Sequence, residues 1–240
     1  MGSGSVLQGL GAELPHEAWT ALLRAGVPRS FEAGQLLVRQ GDPGTYVLAL
    51  TAGRVKVIRL EPDGSELLLA VRGRGDVIGL ISVMDGGGRS ASVIAIDRCL
   101  AYMLPAERFR RVISESGLHD RVLRHILARN REGDALCAEL VVSPTLQRVA
   151  RALLRHTWAW TNDNDVQQIA TVGLTQYELA LSVGLSRSAL AADLAELRRR
   201  GLISTGRRRI EIRDLPGLRG ISNSDRDAEQ PPSAERPSAD

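Results

Sequence analysis

Residues 174–213 read LTQYELALSVGLSRSALAADLAELRRRGLISTGRRRIEIR, and this stretch decides the fold of the C-terminal part of the chain. Thr175 is followed three residues later by Glu178, a capping box that predicts the start of a helix. Gly184 can take the left-handed conformation that a sharp stop requires. Ser186 is a suitable N-cap for a second helix. Two short helices joined by a glycine turn predict a helix-turn-helix.

The second of these helices has an apolar side and a polar first turn. Leu190, Leu194 and Leu197 recur at helical spacing and should pack into a core. The first turn is where a recognition helix contacts base edges, and the basic hairpin that follows suits phosphates. The predicted DNA-binding residues are Thr175, Gln176, Ser186, Arg187, Ser188, Ala192, Arg207, Arg208 and Arg209. The alternative is an ordinary small helical domain with a solvated basic tip.

The composition supports a DNA-binding domain attached to a second domain. The chain has 240 residues and a net charge of +3, long enough for two cores. Residues 145–220 hold twelve arginines against seven acidic residues, a net charge of +5. Cys99 and Cys137 do not make a disulfide framework, and neither a signal peptide nor a membrane-spanning run is evident. We therefore expect a cytoplasmic protein without membrane contact.

The pattern of residues in the N-terminal half is typical of a small β-sandwich or barrel. Residues 1–14 should form a flexible N-terminus, and 15–24 a short amphipathic helix. Short apolar runs then alternate with glycine turns up to residue 104. Residues 15–117 are assigned to this domain. Its predicted strands centre on 36–38, 46–50, 55–58, 67–71, 77–78, 91–96 and 101–104.

Helices should connect the two domains. We predict helices over 106–116, 118–142 and 145–160, with 118–143 as a dimerisation helix. Its stripe consists of Leu123, Ile126, Leu127, Asn130, Leu136, Cys137 and Leu140. Such a stripe suggests a dimer seam, with packing against the chain's own barrel as the alternative. Gly133 and Asp134 interrupt the stripe. Residues 144–220 form the predicted winged helix-turn-helix domain, and 221–240 a disordered tail.

The stretch from Gly79 to Ser92 is the candidate ligand site of the sandwich. A helical turn after Gly79 would present free backbone amides, and Arg89 and Ser90 would add a guanidinium and a hydroxyl, which together make a phosphate cradle. The alternative is a glycine-rich loop in which Arg89 pairs with a carboxylate such as Asp85. An enzyme is not predicted, and neither is a metal site, because no histidine occurs between His16 and His119.

With both halves considered, the chain resembles transcription regulators of the Crp-Fnr (catabolite activator protein) family. The segments 31–44 and 53–57 resemble the family's β-roll signature, 79–91 its phosphate-binding cassette and 174–203 its helix-turn-helix. The resemblance implies an α+β protein: an N-terminal β-roll resembling a cyclic-nucleotide-binding jelly roll, a long dimerisation helix and a C-terminal winged helix-turn-helix. It further implies a homodimer on a pseudo-palindromic operator, with the sensor biasing the pose of the DNA domains.

Several residues depart from the family pattern. Family members that bind cyclic AMP carry a glutamate where this chain has Leu80, and their purine-reading polar pair is replaced by Gly133-Asp134. In the recognition helix, Ser188 stands where an acidic residue is expected and Ala192 where an arginine is expected. The cysteine cluster of an iron–sulfur sensor is missing. The expected effector-binding residues are Gly79, Leu80, Ile81, Arg89, Ser90, Ala91, Asn130, Arg131 and Asp134.

The sequence thus predicts a homodimeric DNA-binding regulator with a nucleotide-type effector other than cyclic AMP. No cofactor is established. A cyclic dinucleotide is one candidate, since Arg131-x-x-Asp134 and Arg39-x-x-Asp42 both match a pattern that holds such ligands, although roughly two matches arise by chance. The alternatives are a nucleotide-sensing module that acts through protein partners and an effector-independent DNA binder. Double-stranded DNA and a second copy are the expected partners, and RNA polymerase is a further candidate.

Overall fold

The computed structural model describes residues 7–161, 167–171, 174–206 and 209–223. Within them the chain forms an N-terminal β-sandwich, a long helix and a C-terminal helical module with its own small sheet. This order of parts confirms the predicted α+β architecture.

Two four-stranded antiparallel sheets form the sandwich. The strands are β1 (Val27–Phe31), β2 (Leu36–Val38), β3 (Tyr46–Ala52), β4 (Val55–Leu60), β5 (Glu66–Arg72), β6 (Val77–Ile78), β7 (Ser92–Ala95) and β8 (Cys99–Pro105). One sheet has the order β1-β8-β3-β6 and the other β2-β7-β4-β5. Leu50, Val55 and Ala101 belong to the buried apolar cluster of the sandwich. The apolar runs predicted as strands are therefore strands, and their alternation fills the core.

The N-terminus is more ordered than the sequence suggested. Helix α1 (Gly9–Glu13) precedes the predicted amphipathic helix α2 (His16–Ala25). The expectation of a flexible segment is wrong for residues 9–14, because Leu10 and Leu14 are buried in the same core as Trp19. The Gly11 amide also donates to the Gly75 carbonyl at 2.8 Å. Residues 1–6 lie outside the described residues.

Three further helices belong to the sandwich and its connection to the C-terminal module. They are α3 (Leu80–Asp85), α4 (Ala106–Glu115) and α5 (His119–Val142). Helix α5 runs through Gly133 without a break, so the residues that interrupt the apolar stripe leave the helix backbone continuous. One glycine costs an exposed helix only about 1 kcal/mol, which 24 residues of continuous hydrogen bonding can absorb.

The C-terminal module packs helices against a four-stranded sheet. Its elements are α6 (Thr145–Arg155), β9 (Thr157–Thr161), β10 (Gln167–Thr171), α7 (Gln176–Ser182), α8 (Arg187–Arg199), β11 (Ile203–Gly206), β12 (Arg209–Ile212) and α9 (Leu215–Asn223). Its core includes Leu153, Leu190 and Leu218. The sheet order is β11-β12-β10-β9.

Two boundary predictions in this module are wrong. Helix α6 ends at Arg155 rather than 160, because Thr157 to Thr161 form a strand that pairs with β10. The alternation of threonine and tryptophan there favours a strand. The tail predicted to begin at 221 is helical up to Asn223, since Leu218 and Ser222 of α9 are buried. Residues 224–240 lie outside the described residues.

In the part of the chain that the structure describes, no helix combines the length and apolar character that crossing a bilayer requires.

Candidate DNA-binding and effector sites

The two helices predicted from residues 174–200 are held by the expected caps. The Thr175 hydroxyl accepts from the Glu178 amide at 3.2 Å, and the Thr175 amide donates to Glu178 Oε2 at 2.8 Å. The capping box is therefore complete. Gly184 has φ +61° in the turn, and the Ser186 hydroxyl accepts from the Ala189 amide at 3.2 Å. These local bonds fix where α7 and α8 begin.

Helix α8 separates a buried side from an exposed side, as its sequence predicts. Leu190, Leu194 and Leu197 are buried against α6 and α7. The predicted DNA-binding residues within the helix-turn-helix are all exposed: Thr175, Gln176, Ser186, Arg187, Ser188 and Ala192. The first turn of α8 therefore presents its polar side chains to solvent, as a recognition helix requires.

Tyr177 is a part of this surface that sequence reasoning missed. The Arg187 guanidinium carbon lies 4.8 Å from the centre of the exposed Tyr177 ring. A guanidinium over an aromatic face is attracted by the ring quadrupole. The contact restrains the arginine expected to read a base, and the ten-residue separation along the chain conceals it in the sequence.

The wing is a hairpin, as predicted. Strands β11 and β12 pair antiparallel, with Gly206 opposite Arg209. Arg207 and Arg208 lie outside the described residues, and so does the Arg209 side chain. The prediction that these arginines bind phosphates stays a prediction.

The cassette in the sandwich folds as a short helix after a left-handed glycine. Gly79 has φ +80° and precedes α3. A Cβ at Gly79 would overlap Nη1 of Arg89, so glycine is required here for space as well as for conformation.

Arg89 is buried in this cassette and is hydrogen-bonded to three acceptors of the chain itself. The residue is only 4% exposed. Nη1 donates to the Gly79 carbonyl at 2.9 Å and to the Ser82 hydroxyl at 2.7 Å, and Nη2 donates to the Tyr46 carbonyl. Burial lowers the pKa of Arg89, while Tyr46 and Asp42 oppose that change.

The alternative interpretation, in which Arg89 pairs with Asp85, is wrong, because Arg89 donates to Gly79, Ser82 and Tyr46. The Asp85 carboxylate instead accepts from the Gly87 amide at 2.8 Å. Arg89 thus links α3 to β3 through the Ser82 hydroxyl and the Tyr46 carbonyl. The place of Arg89 in the cassette could be predicted from the sequence, but its long-range hydrogen bonds could not.

The other expected effector residues have mixed surroundings. Leu80 and Ala91 are buried, whereas Ile81 and Ser90 are exposed. Leu80 belongs to the apolar core cluster that contains Val83. A leucine packed in this way accepts no hydrogen bond, so the position offers nothing to a ribose hydroxyl.

Much of the apolar stripe of α5 that was predicted to form the dimer interface is exposed to solvent. Ile126 packs against the chain's own core, which supports the alternative interpretation for that residue. Leu123 and Leu127 are exposed, as are the three candidate effector residues Asn130, Arg131 and Asp134. The remaining members of the stripe are Leu136 and Leu140, which are half-buried, and Cys137, which is exposed.

Comparison with known proteins assigns both halves. The family model for a cyclic nucleotide-binding domain matches residues 28–116, and the model for a Crp-like helix-turn-helix domain matches residues 147–221. A CRP-like cAMP-activated global transcriptional regulator of Mycobacterium tuberculosis is 30% identical over 202 residues, 84% of this chain and 90% of the relative. The chain belongs to the Crp-Fnr family of transcription regulators.

Two solved structures show how much of this chain has the Crp-Fnr fold. A CRP-family transcriptional regulator from Thermus thermophilus is 26% identical and has a TM-score of 0.65, covering 81% of this chain and 96% of its own. CLP, the c-di-GMP responsive global regulator of Xanthomonas campestris, is 20% identical and has a TM-score of 0.66, covering 84% of this chain and all of its own. The latter likeness concerns the fold alone.

This Crp-Fnr protein offers no cluster for a metal ion in its described ranges: no group of three or more His, Cys, Asp or Glu side chains could hold one. Cys99 is buried, and burial followed by the charge of Asp97 raises the pKa of its thiol to about 11. It is therefore a core thiol, neutral at physiological pH.

Proposed function

We propose that this protein is a homodimeric regulator that binds a pseudo-palindromic DNA site and responds to a nucleotide-type effector other than cyclic AMP. The observation that carries the DNA-binding part is the exposed first turn of α8, with Arg187 held over Tyr177. Family membership supports transcription regulation as its role. The proposed place of action is the cytoplasm, where bacteria such as the relatives named above keep their DNA.

The surface of α5 supports the dimer. One line of exposed residues is spaced by four, three, four, three and four positions, which is heptad spacing. The line consists of Leu123, Leu127, Asn130, Asp134, Cys137 and Val141. Two copies of α5 side by side would bury its apolar members and set the two recognition helices for half-sites one helical turn, about 34 Å, apart.

The residues at the centre of that line support a ligand that bridges both copies. Two Asp134 carboxylates facing each other would repel, and a ligand that donates hydrogen bonds to both would relieve the repulsion. A guanine carries an N2 amino donor, and Arg131 one turn away could complete its recognition. CLP of Xanthomonas campestris, a c-di-GMP responsive regulator with the same fold, offers a precedent for such a ligand.

A second candidate is a DNA binder that needs no effector. It is favoured by one observation: the Arg89 guanidinium already donates to three acceptors of the chain. A sensor domain whose phosphate-side arginine already hydrogen-bonds to the chain can be a purely structural part. A role through protein partners remains the third candidate.

Replacing Arg187 by Ala should weaken specific DNA binding by about 1–3 kcal/mol, because a bidentate contact to a base edge is lost. Footprinting or fluorescence anisotropy on a selected operator measures the loss. Arg199→Ala is the matched control, since Arg199 is an exposed arginine at the far end of α8 that pairs with Glu196. Full protection by the Arg187→Ala protein would show that another residue reads the site.

Calorimetry with cyclic AMP should show binding weaker than micromolar. An unpaired buried hydroxyl costs about 1–3 kcal/mol, and Leu80 cannot accept from the ribose. Micromolar or tighter binding that disappears in Arg89→Ala would contradict the proposed change of effector. Because Arg89 also holds the cassette together, Arg89→Ala can lose ligand binding through unfolding alone. Ser90→Ala is therefore a second variant for the same calorimetry: Ser90 is exposed, and its loss should leave the melting temperature unchanged.

A further inference from the structure

The sheet formed by β2, β7, β4 and β5 contacts the DNA-binding module across an apolar cluster. Ile58 of β4 and Leu68 of β5 are buried together with Leu174, the residue just before the capping box of α7. Val71, Ile94 and Ile96 pack around these three side chains. The start of the helix-turn-helix therefore rests on the sensor domain.

An ion pair closes the same contact. Lys56 Nζ of β4 donates to Glu178 Oε1 of α7, and the two side chains are only 21% and 14% exposed. The other carboxylate oxygen, Oε2, accepts from the Thr175 amide at 2.8 Å and from the Thr175 hydroxyl at 2.9 Å. One carboxylate thus begins helix α7 and also fastens that helix to the sensor.

The charge of Glu178 is stable in this position. Burial alone would raise its pKa, but the hydrogen bonds from Lys56 and Thr175 and the charge of Lys56 outweigh burial and lower it. The carboxylate is therefore ionised at neutral pH, and the pair with Lys56 carries full charge. We name the contact of Lys56, Ile58 and Leu68 with Leu174 and Glu178 the sensor latch.

The sensor latch lies beside residues that DNA should need. Thr175 and Gln176, between the two latched residues Leu174 and Glu178, are the N-cap and first residue of α7, the helix that crosses the DNA backbone in this motif. Phosphates at that end of α7 would come within about one helical turn, roughly 5.4 Å, of the contact with Lys56. Glu61 and Asp63 in the turn joining β4 to β5, and Glu66 at the start of β5, also repel a phosphate backbone.

We propose that the outer face of β4 and β5 is a docking surface for α7, and that duplex DNA and this surface compete for the helix-turn-helix. The inference rests on the proposed function, since it assumes that α7 and α8 bind DNA. The sensor latch has the size expected of a switch. One half-buried ion pair and three apolar side chains hold α7 on the sensor. These contacts are few enough for a ligand to shift the equilibrium between docked and released α7.

Variants of the ion pair test the competition, and Lys56→Gln, on the sensor side, leaves the DNA-binding surface unchanged. Lys56→Gln removes the charge from the latch, and we expect DNA affinity to rise about fivefold, a typical coupling between sites. Glu178→Gln should give a similar rise, because glutamine can still complete the capping box. The double variant should show no further gain. Equal or weaker DNA binding by Lys56→Gln would overturn the latch.

Arg59→Gln is the matched control for these variants. Arg59 is also a basic residue of β4, but its ion-pair partner is Glu61 of the adjoining turn, at 2.8 Å. Its loss changes the charge of the sensor by the same amount as Lys56→Gln and leaves α7 untouched. DNA affinity should stay unchanged, and a rise equal to that of Lys56→Gln would attribute the effect to charge alone and refute the latch.

A direct measurement follows from the composition, because Lys56 is the only lysine in the 240 residues. An amine-reactive ester should modify Lys56 slowly in the free protein and severalfold faster once duplex DNA is bound, as peptide mass spectrometry would show. Bound DNA with an unchanged labelling rate would refute the latch and leave the proposed function standing. A protein that binds no duplex would refute the proposed function, and the competition with it.

Discussion

Replacing Leu127 by Glu should make the protein monomeric and lower its affinity for a full two-half-site operator at least about 100-fold. Leu127 is 46% exposed in the middle of the α5 line and has a large apolar side chain there. A charge at this position would be buried without a partner in a two-helix seam. Sedimentation equilibrium measures the assembly state, and anisotropy with a labelled operator measures the affinity.

The neighbouring position supplies the control for that prediction. Ala128 is exposed on the same helix but lies outside the heptad line, so Ala128→Glu adds the same charge away from the seam. This variant should remain dimeric and bind DNA as the parent does. If Leu127→Glu were dimeric with unchanged DNA affinity, α5 would not be the seam.

Lowering the pH from about 6.5 to about 4 should destabilise the DNA-binding module through His156 by roughly 3 kcal/mol. His156 is buried at the end of α6, and this burial, together with the charges of Arg155 and Arg72, lowers its pKa from 6.5 to about 4. Above 6.5 the ring is neutral in both states, and the full stability is present. Between pH 6.5 and 4 the His156 ring is protonated in the unfolded chain but stays neutral in the folded chain, so the free energy of unfolding falls.

Urea unfolding at several pH values, compared with His156→Gln, measures this contribution. The variant loses the titrating ring, so its free energy of unfolding should vary less between pH 6.5 and 4.5 than that of the parent. The comparison also cancels the contribution of carboxylates such as Glu178, whose pKa is lowered by its hydrogen bonds with Lys56 and Thr175. Identical pH profiles would mean that His156 is protonated equally in the folded and unfolded states.

The DNA-binding motif could be predicted from the sequence because its determinants are local. The bonds between Thr175 and Glu178 span three residues, and the cap of Ser186 on Ala189 spans three. The spacing of Leu190, Leu194 and Leu197 defines the buried side of α8 on its own. Such patterns need no knowledge of the rest of the chain.

The effector site was harder to predict, because its character depends on distant partners. Arg89 could be placed in the cassette, but its bond to the Tyr46 carbonyl joins residues 43 positions apart. Ile126 looked like a seam residue by spacing and packs instead on the chain's own core. Periodicity identifies an apolar face without saying what covers it.

By itself, then, the sequence determined seven of the eight strands of the sandwich, the caps, the turn and the two faces of α8, since each depends on neighbours within a few residues. Only the tertiary structure decided that Arg89 is buried and hydrogen-bonded within the chain and that Lys56 meets Glu178 across 122 positions of the chain. The physical reason is that burial and ion pairing are set by whichever surfaces fold against each other, and no local pattern in the residues encodes that choice.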